Sequence, residues 1–273
     1  MAENIIVCQD LWHIYPGDIV ALHDVSISIP QGQVVGVIGQ NGSGKTTLVK
    51  HFNGLLKPTK GSVVVNEMDV GTHAVDELSR NVGYVFQNPN HQLFAKTVFD
   101  EMTFGPANLG LEEDVVQERA EQALEFFGLD RYRGTHPYRL SLPLRKLVAM
   151  AAIYAMRPKV MVLDEPTTGQ DHIGMNTVRR LIEKLREEGD TIVLVTHDMV
   201  LVAQTADRLL VLCDSELIGD GAPREIFSGD EMMARTNLRP PQITQLSRRI
   251  FKPGLPEAAL RVSELAEPLA KTL

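Results

Sequence analysis

The chain has 273 residues, enough to bury a full core as one large domain with a small appendage. Apolar content of 44% and charged content of 23% are ordinary for a globular protein, and a formal net charge of −8 speaks against a general nucleic-acid binder, for which a basic balance is expected. The two cysteines, Cys8 and Cys213, give neither a disulfide framework nor a metal-ligand spacing, and each lies in an apolar, strand-like segment that suits a buried thiol. The first residues, MAENIIVCQD, lack the basic start and long apolar stretch of a signal peptide. The longest apolar run, Leu147 to Met156, is too short to span a bilayer. The expectation is an intracellular protein that reaches a membrane only through a partner.

Taken in order, residues 4–29 read as two strands joined by a turn at Pro16-Gly17-Asp18, the second alternating Val25, Ile27 and Ile29 with serines. The bend Pro30-Gln31-Gly32 leads to an apolar run, Val34 to Ile38. That run meets Gly39-Gln40-Asn41-Gly42-Ser43-Gly44-Lys45-Thr46, and Thr47 to Lys50 continues as a helix. Strand, glycine-rich loop and helix in this order form a phosphate-binding P-loop. Its backbone N–H groups turn inward around an anion, and the helix N-terminus adds its positive end. Lys45 would reach the β- and γ-phosphates of a nucleotide, and the Thr46 hydroxyl would ligate Mg²⁺.

Further strands are predicted at Ser62–Val65 and Val82–Phe86, the latter ending at Gln87. Between residues 95 and 157 the pattern turns helical. Val116, Ala120, Ala123, Leu124 and Phe127 share one helical face closed by Gly128, and Leu144 to Met156 forms a mostly apolar helix. Val160–Leu163 and Ile192–Val195 are continuous apolar runs that suit central parallel strands, and the amphipathic stretch between them, capped by Gly189, completes a βαβ crossover. A hairpin-like pair follows at 208–219, and the Pro-rich tail from about 230 reads as a small helical appendage with a basic segment at 247–252. The run Val160 to Leu163 ends in Asp164-Glu165, which fixes a carboxylate at the C-terminal edge of the sheet as a second Mg²⁺ ligand and sets Glu165 to polarise an attacking water. His197 follows the next apolar strand, beside the expected γ-phosphate position.

These residues resemble the ATP-binding-cassette ATPase family over essentially residues 3–228. The resemblance implies an α/β P-loop NTPase cassette: a RecA-like parallel core sheet plus an antiparallel β subdomain, with a helical subdomain inserted at about 95–157 and a small C-terminal helical extension. It implies a cassette over 1–229 and an extension over 230–273 that serves dimerisation. ATP and Mg²⁺ are the implied ligands. Tyr15 matches the aromatic that stacks on adenine, and Gly39, Gln40, Asn41, Gly42, Ser43, Gly44, Lys45, Thr46 and Thr47 form the nucleotide cradle. Thr46, Gln87 and Asp164 match the metal-binding positions, while Glu165, His197 and Gln87 match the catalytic ones, and Gly169-Gln170-Asp171 matches the D-loop.

Within that family the chain looks most like the ATPase subunits of energy-coupling factor importers of vitamins or transition-metal ions. The resemblance is carried by Phe86 to Phe94, by Thr97 to Leu111, and by Leu238-Arg239-Pro240-Pro241-Gln242-Ile243-Thr244. The implied partners are a second cassette ATPase, a transmembrane coupling subunit that docks at Gln87–Gln92 and a substrate-binding membrane protein, with no nucleic acid. The implied location is peripheral, on the cytoplasmic face of the cell membrane.

One motif departs from the family pattern. Where family members carry Leu-Ser-Gly-Gly-Gln, this chain has Leu140-Ser141-Leu142-Pro143-Leu144. Leu142 puts a side chain where backbone should approach phosphate, and Pro143 has no N–H to donate, although proline suits the first turn of a helix. The expectation is a heterodimer of unequal sites in preference to a homodimer. Two alternatives are a regulatory subunit with little hydrolysis and a soluble cassette ATPase of a non-transport assembly. Arg131, Arg133, Arg139, Arg145 and Lys146, with no acid from 131 to 146, read first as a solvated basic face and second as a surface for lipid headgroups or ATP.

Overall fold

A computed structural model describes residues 3–250 and 255–272. Phe251 and Lys252 of the basic tail segment lie outside the described residues. The first two strands, β1 (Asn4–Tyr15) and β2 (Ile19–Pro30), pair as an antiparallel hairpin across the Pro16-Gly17-Asp18 turn. With β4 (Lys60–Val65) and the two-residue β5 (Met68–Asp69) they form a four-stranded antiparallel sheet in the order β2-β1-β4-β5.

The second sheet has six strands. It contains β3 (Val34–Gly39), β6 (Val82–Val85), β7 (Val160–Asp164), β8 (Thr191–Val195) and the hairpin β9 (Arg208–Cys213) and β10 (Glu216–Gly221). The order is β10-β9-β3-β8-β7-β6, parallel except for β10. The continuous apolar runs of β3, β7 and β8 are buried on both faces, as parallel strands covered on two sides require. Alternation then divides their side chains. Val160, Val162, Val193 and Val195 join the core between the two sheets, while Met161, Leu163, Ile192 and Leu194 join the core under the helices.

The helices are α1 (Lys45–Phe52) and the short α2 (Val75–Ser79), which join the core between the sheets, and α3 (Val98–Asn108), α4 (Glu113–Phe127), α5 (Leu142–Met156), α6 (His172–Glu188) and α7 (Met199–Thr205). Helices α3, α4 and α5 pack on one another, and Ala120, Leu124, Phe127, Leu147 and Met150 fill their shared core. Each boundary has a local cause. Thr97 caps α3 by accepting from the Asp100 N–H at 3.1 Å, and Asp171 caps α6 by accepting from Gly174 at 2.8 Å. Gly128 and Gly189 close α4 and α6 in the left-handed conformation. The helix predicted over 144–156 begins two residues earlier, at Leu142, because Ser141 takes the N-cap position and Pro143 the first turn.

The tail holds α8 (Pro223–Ser228), α9 (Asp230–Thr236), α10 (Gln242–Arg249) and α11 (Val262–Thr272). A third core made by Ile38, Val202, Val211, Ile226, Phe227 and Met233 fastens α8 and α9 to the edge of the parallel sheet. Both cysteines are buried and free, and burial raises both thiol pKa values. Among the described residues no helix is long and apolar enough to cross a membrane.

Candidate functional site: the P-loop cleft

The site lies at the C-terminal edge of the parallel sheet, where β3 gives way to the glycine-rich loop. Gly39 ends the strand at φ 153°, and a Cβ there would fall 2.1 Å from the Leu212 carbonyl. Gly44 opens α1 at φ 99°, where a Cβ would fall 2.3 Å from the Ala21 carbonyl. Glycine is therefore required at both ends of the loop on grounds of space as well as conformation. Lys45 is buried, and its Nζ donates to the Gly39 carbonyl at 2.8 Å and the Gln40 carbonyl at 2.7 Å. Burial lowers its pKa, opposed by the charges of Glu165 and Asp164.

One cavity collects Tyr15, Asn41, Gly42, Gly44, Lys45, Thr46, Thr47, Gln87, Asp164, Glu165 and His197. Gly39, Gln40 and Ser43 do not line it. Gln40 turns outward to donate to Asp214 Oδ1 at 3.1 Å, and Ser43 is buried behind the loop. The Thr46 hydroxyl donates to Asp164 Oδ2 at 3.2 Å, and Tyr84 donates to the same oxygen at 2.9 Å. Burial raises the Asp164 carboxyl's pKa, opposed by the two hydroxyls. Glu165 is buried, and its backbone sits in the left-handed region at φ 51°. Its Oε2 accepts from the Thr168 hydroxyl at 3.0 Å, and its Oε1 lies 3.4 Å from His197 Nε2. Gln87, just past β6, is exposed on the far wall.

Sequence reasoning missed several neighbours. Ile19, Val20 and Ala21 line the mouth beside Tyr15, and Ile19 is 62% exposed although apolar. The hairpin signal at Pro16-Gly17-Asp18 could have found them, because that turn pairs Tyr15 with Ile19. Tyr84 and Thr168 carry no such local sign, since their partners are set by strand and turn packing. Behind Tyr15, His13 stacks edge-on with its ring centroid 4.5 Å away, and the Tyr15 and Thr47 hydroxyls lie 3.3 Å apart.

Ser141 caps α5 without a side-chain hydrogen bond, and Leu142 beside it is 49% exposed. Of the basic stretch around it, Arg131, Arg133 and Arg139 are exposed, whereas Arg145 is half-buried and Lys146 buried. Arg133 pairs with Glu121 and lies over Phe99, and Arg131 lies over Tyr132. Arg145 donates to Asn90 Oδ1 at 2.7 Å, and Lys146 points into the interior. A second, more apolar groove is lined by Arg80, Gln92, Phe94, Phe104, Leu109 and Met156. Phe94, 62% exposed, meets Phe104 edge-on with centroids 4.6 Å apart. Gln92, which lines this groove, donates to the Ala149 carbonyl at 2.7 Å and accepts from the Phe86 N–H, next to Gln87, at 3.2 Å.

The fold and this cleft define a P-loop ATPase of the cassette type, and comparison with known proteins gives the family. The ABC transporter family model matches residues 22–168. The chain is 42% identical over 253 residues to an energy-coupling factor transporter ATP-binding protein EcfA of Methanoculleus marisnigri, covering 92% of this chain and 91% of that one. It is 42% identical over 250 residues to a putative ABC transporter ATP-binding protein of Caldanaerobacter subterraneus, of whose length it spans only 44%. The solved structure of cbiO1 from Clostridium perfringens, described as part of the ABC transporter complex cbiONQ, superposes with TM-score 0.75 at 33% identity, over 90% of this chain and 99% of that one. The chain belongs to the ATP-binding-cassette ATPase family, and its relatives include ATP-binding subunits of energy-coupling factor transporters.

Proposed function

We propose that the chain binds MgATP in the P-loop cleft as one half-site of a two-ATPase assembly and, by hydrolysing it, energises a membrane importer of a vitamin or transition-metal ion. The observation that carries the proposal is convergence. Lys45, Thr46, Gln87, Asp164, Glu165 and His197 come from separate segments of the chain, yet they line one cavity. The donor set fits Mg²⁺, a hard cation held by oxygen ligands. Thr46 and Asp164 present a hydroxyl and a carboxylate oxygen 3.2 Å apart, with the Gln87 amide on the same cavity. Bound there, the ion would neutralise phosphate charge.

The rest is the work of the chain's own residues. Tyr15, with Ile19 and Val20 beside it, offers the adenine an apolar wall. Lys45 and the loop N–H groups hold the phosphates, and Glu165 takes the proton of the water that attacks the γ-phosphate. His197, against Glu165 Oε1, orients that carboxylate and the γ-phosphate together. The cassette spans 1–229 and the extension 230–273 helps two ATPases stay paired; the apolar side of α10, where Leu246 is exposed, suits that task. The Phe94–Phe104 groove is the docking place for a transmembrane coupling subunit, which would hold the protein on the cytoplasmic face of the membrane.

The signature segment makes the assembly unequal. The exposed Leu142 side chain and the missing Pro143 N–H leave this chain poorly equipped to meet a partner's γ-phosphate. A partner with an intact segment would complete this chain's own site. The same observation favours a second reading, a regulatory subunit that hardly hydrolyses. ATPase assays on the purified chain, alone and with its cognate second ATPase, test the proposal. The expected outcome is weak turnover alone and brisk turnover in the complex, with Lys45→Ala abolishing MgATP binding by this chain. Brisk turnover by the chain alone would contradict the unequal assembly, and MgATP binding untouched by Lys45→Ala would contradict the site.

A further inference from the structure

Lys146 lies in the second turn of α5 and is 3% exposed, and no step of the hydrolysis uses it. Its Nζ donates to the main-chain carbonyl of Glu165 and, at 3.2 Å, to that of Thr168. Burial lowers its pKa, while the charges of Glu165 and Asp164 raise it. Desolvating an ammonium is costly unless it is hydrogen-bonded or paired, so a lysine kept on two backbone oxygens at this point calls for a reason.

The reason lies in the backbone of Glu165. A non-glycine residue at φ 51° is strained and persists only where its surroundings hold it. The Glu165 N–H is tied to the Val195 carbonyl of β8 at 2.7 Å. Its carbonyl has only a long bond from the Thr168 N–H, at 3.4 Å, besides Lys146. Lys146 thus anchors one end of the strained residue, and β8 anchors the other. Between the two anchors the side chain is aimed so that Oε2 meets the Thr168 hydroxyl and Oε1 faces His197. A second tie runs the opposite way, from Gln170 Nε2 to the Pro143 carbonyl at 3.1 Å. Lys146 and Gln170 together fasten the start of α5 to the turn from Glu165 to Asp171.

We propose that Lys146 is a positioning residue for Glu165: from the signature helix of the same chain it fixes the backbone that aims the catalytic carboxylate, so that the helix end facing the partner's nucleotide also sets the competence of this chain's own site. The inference builds on the functional reading above, in which the start of α5 faces the second ATPase and its nucleotide, though with a weakened phosphate contact. A shift of α5 on that side would be passed to Glu165 through the two ties without a change in the P-loop.

The test uses the assembled two-ATPase complex with Lys146→Met, which keeps the length and apolar stem but has no donor, and with Lys146→Arg. Turnover, KM for ATP, affinity for a fluorescent ATP analogue and melting temperature are measured for each. Lys146→Met is expected to lower kcat at least about tenfold with KM and nucleotide affinity within about twofold of wild type, and Lys146→Arg to recover most of the kcat. Wild-type kcat in Lys146→Met, or a loss of kcat matched by loss of nucleotide affinity and melting temperature, would overturn the inference. If Lys146→Met does not accumulate as folded protein, Gln170→Leu removes the second tie and carries the test: a lower kcat at constant KM supports the coupling and an unchanged kcat overturns it. A Glu165→Gln complex separates the two levels. If it is inactive while Lys146→Met is normal, only the positioning role fails; if it is as active as wild type, the functional reading itself fails.

Discussion

His51 shows how a single side chain behind the site can set the conditions under which the site exists. It is fully buried, its Nδ1 lies 2.8 Å from the Thr47 carbonyl, to which only an N–H can donate, and its Nε2 lies 3.1 Å from His13 Nδ1. Burial pushes the His51 imidazole down from 6.5 to about 4. Between those values the unfolded chain binds a proton that the folded chain excludes. The His51 contribution to stability is therefore complete above pH 6.5 and is lost as the pH falls toward 4. Replacing His51 with Asn should lower stability at neutral pH by about 1–3 kcal/mol, and it should also flatten the pH dependence. Urea unfolding at a series of pH values from 7.5 to about 4.5 checks this. Parallel wild-type and variant curves would contradict it. Asp164 is the contrasting case, since burial raises its pKa while Tyr84 and Thr46 stabilise the ionised form by hydrogen bonding.

At the scale of elements, α5 is where local sequence and function part company. Ser141 at the N-cap and Pro143 in the first turn make a sound helix start, and the helix forms. What they do not provide is a bare backbone for an anion. Restoring glycine at both positions, Leu142→Gly with Pro143→Gly, should give the isolated chain a gain in ATPase activity of about tenfold, the worth of one regained hydrogen bond to a charged group. Steady-state turnover of the double variant checks it, and no gain would mean that the segment is impaired elsewhere.

The elements that sequence patterns made legible are those whose causes are local. The P-loop, the Asp164-Glu165 strand end, the Pro16-Gly17-Asp18 hairpin and the capped helix before Gly128 each carry their reason within a dozen residues. The contacts that were not legible cross long stretches of chain. Tyr84 reaches Asp164, Gln92 reaches the Ala149 carbonyl and Lys146 reaches Glu165, and no spacing rule announces any of them. The basic stretch from Arg131 to Lys146 misled in part for the same reason. Charge in sequence reads as a solvated face, which fits the exposed Arg131, Arg133 and Arg139, but Arg145 turns to Asn90 and Lys146 is buried against the Glu165 turn.

For the molecule as a whole, the parallel sheet brings the P-loop, Asp164, Glu165 and His197 to one edge, and the antiparallel sheet carries Tyr15 and Ile19 to the mouth of the same cleft. Phe94 lies on the segment that continues from Gln87, so a partner seated on the Phe94–Phe104 pair would touch a stretch contiguous with Gln87. In the proposed two-ATPase assembly the cleft is half of a site, and the element it needs from a second ATPase is the one this chain has altered. On that proposal Glu165 belongs to the better site of the pair. The most direct measurement is ATP turnover by the assembled complex in which this chain alone carries Glu165→Gln. Turnover is expected to fall by about 100-fold or more while ATP binding persists. Turnover unchanged by that substitution would contradict it.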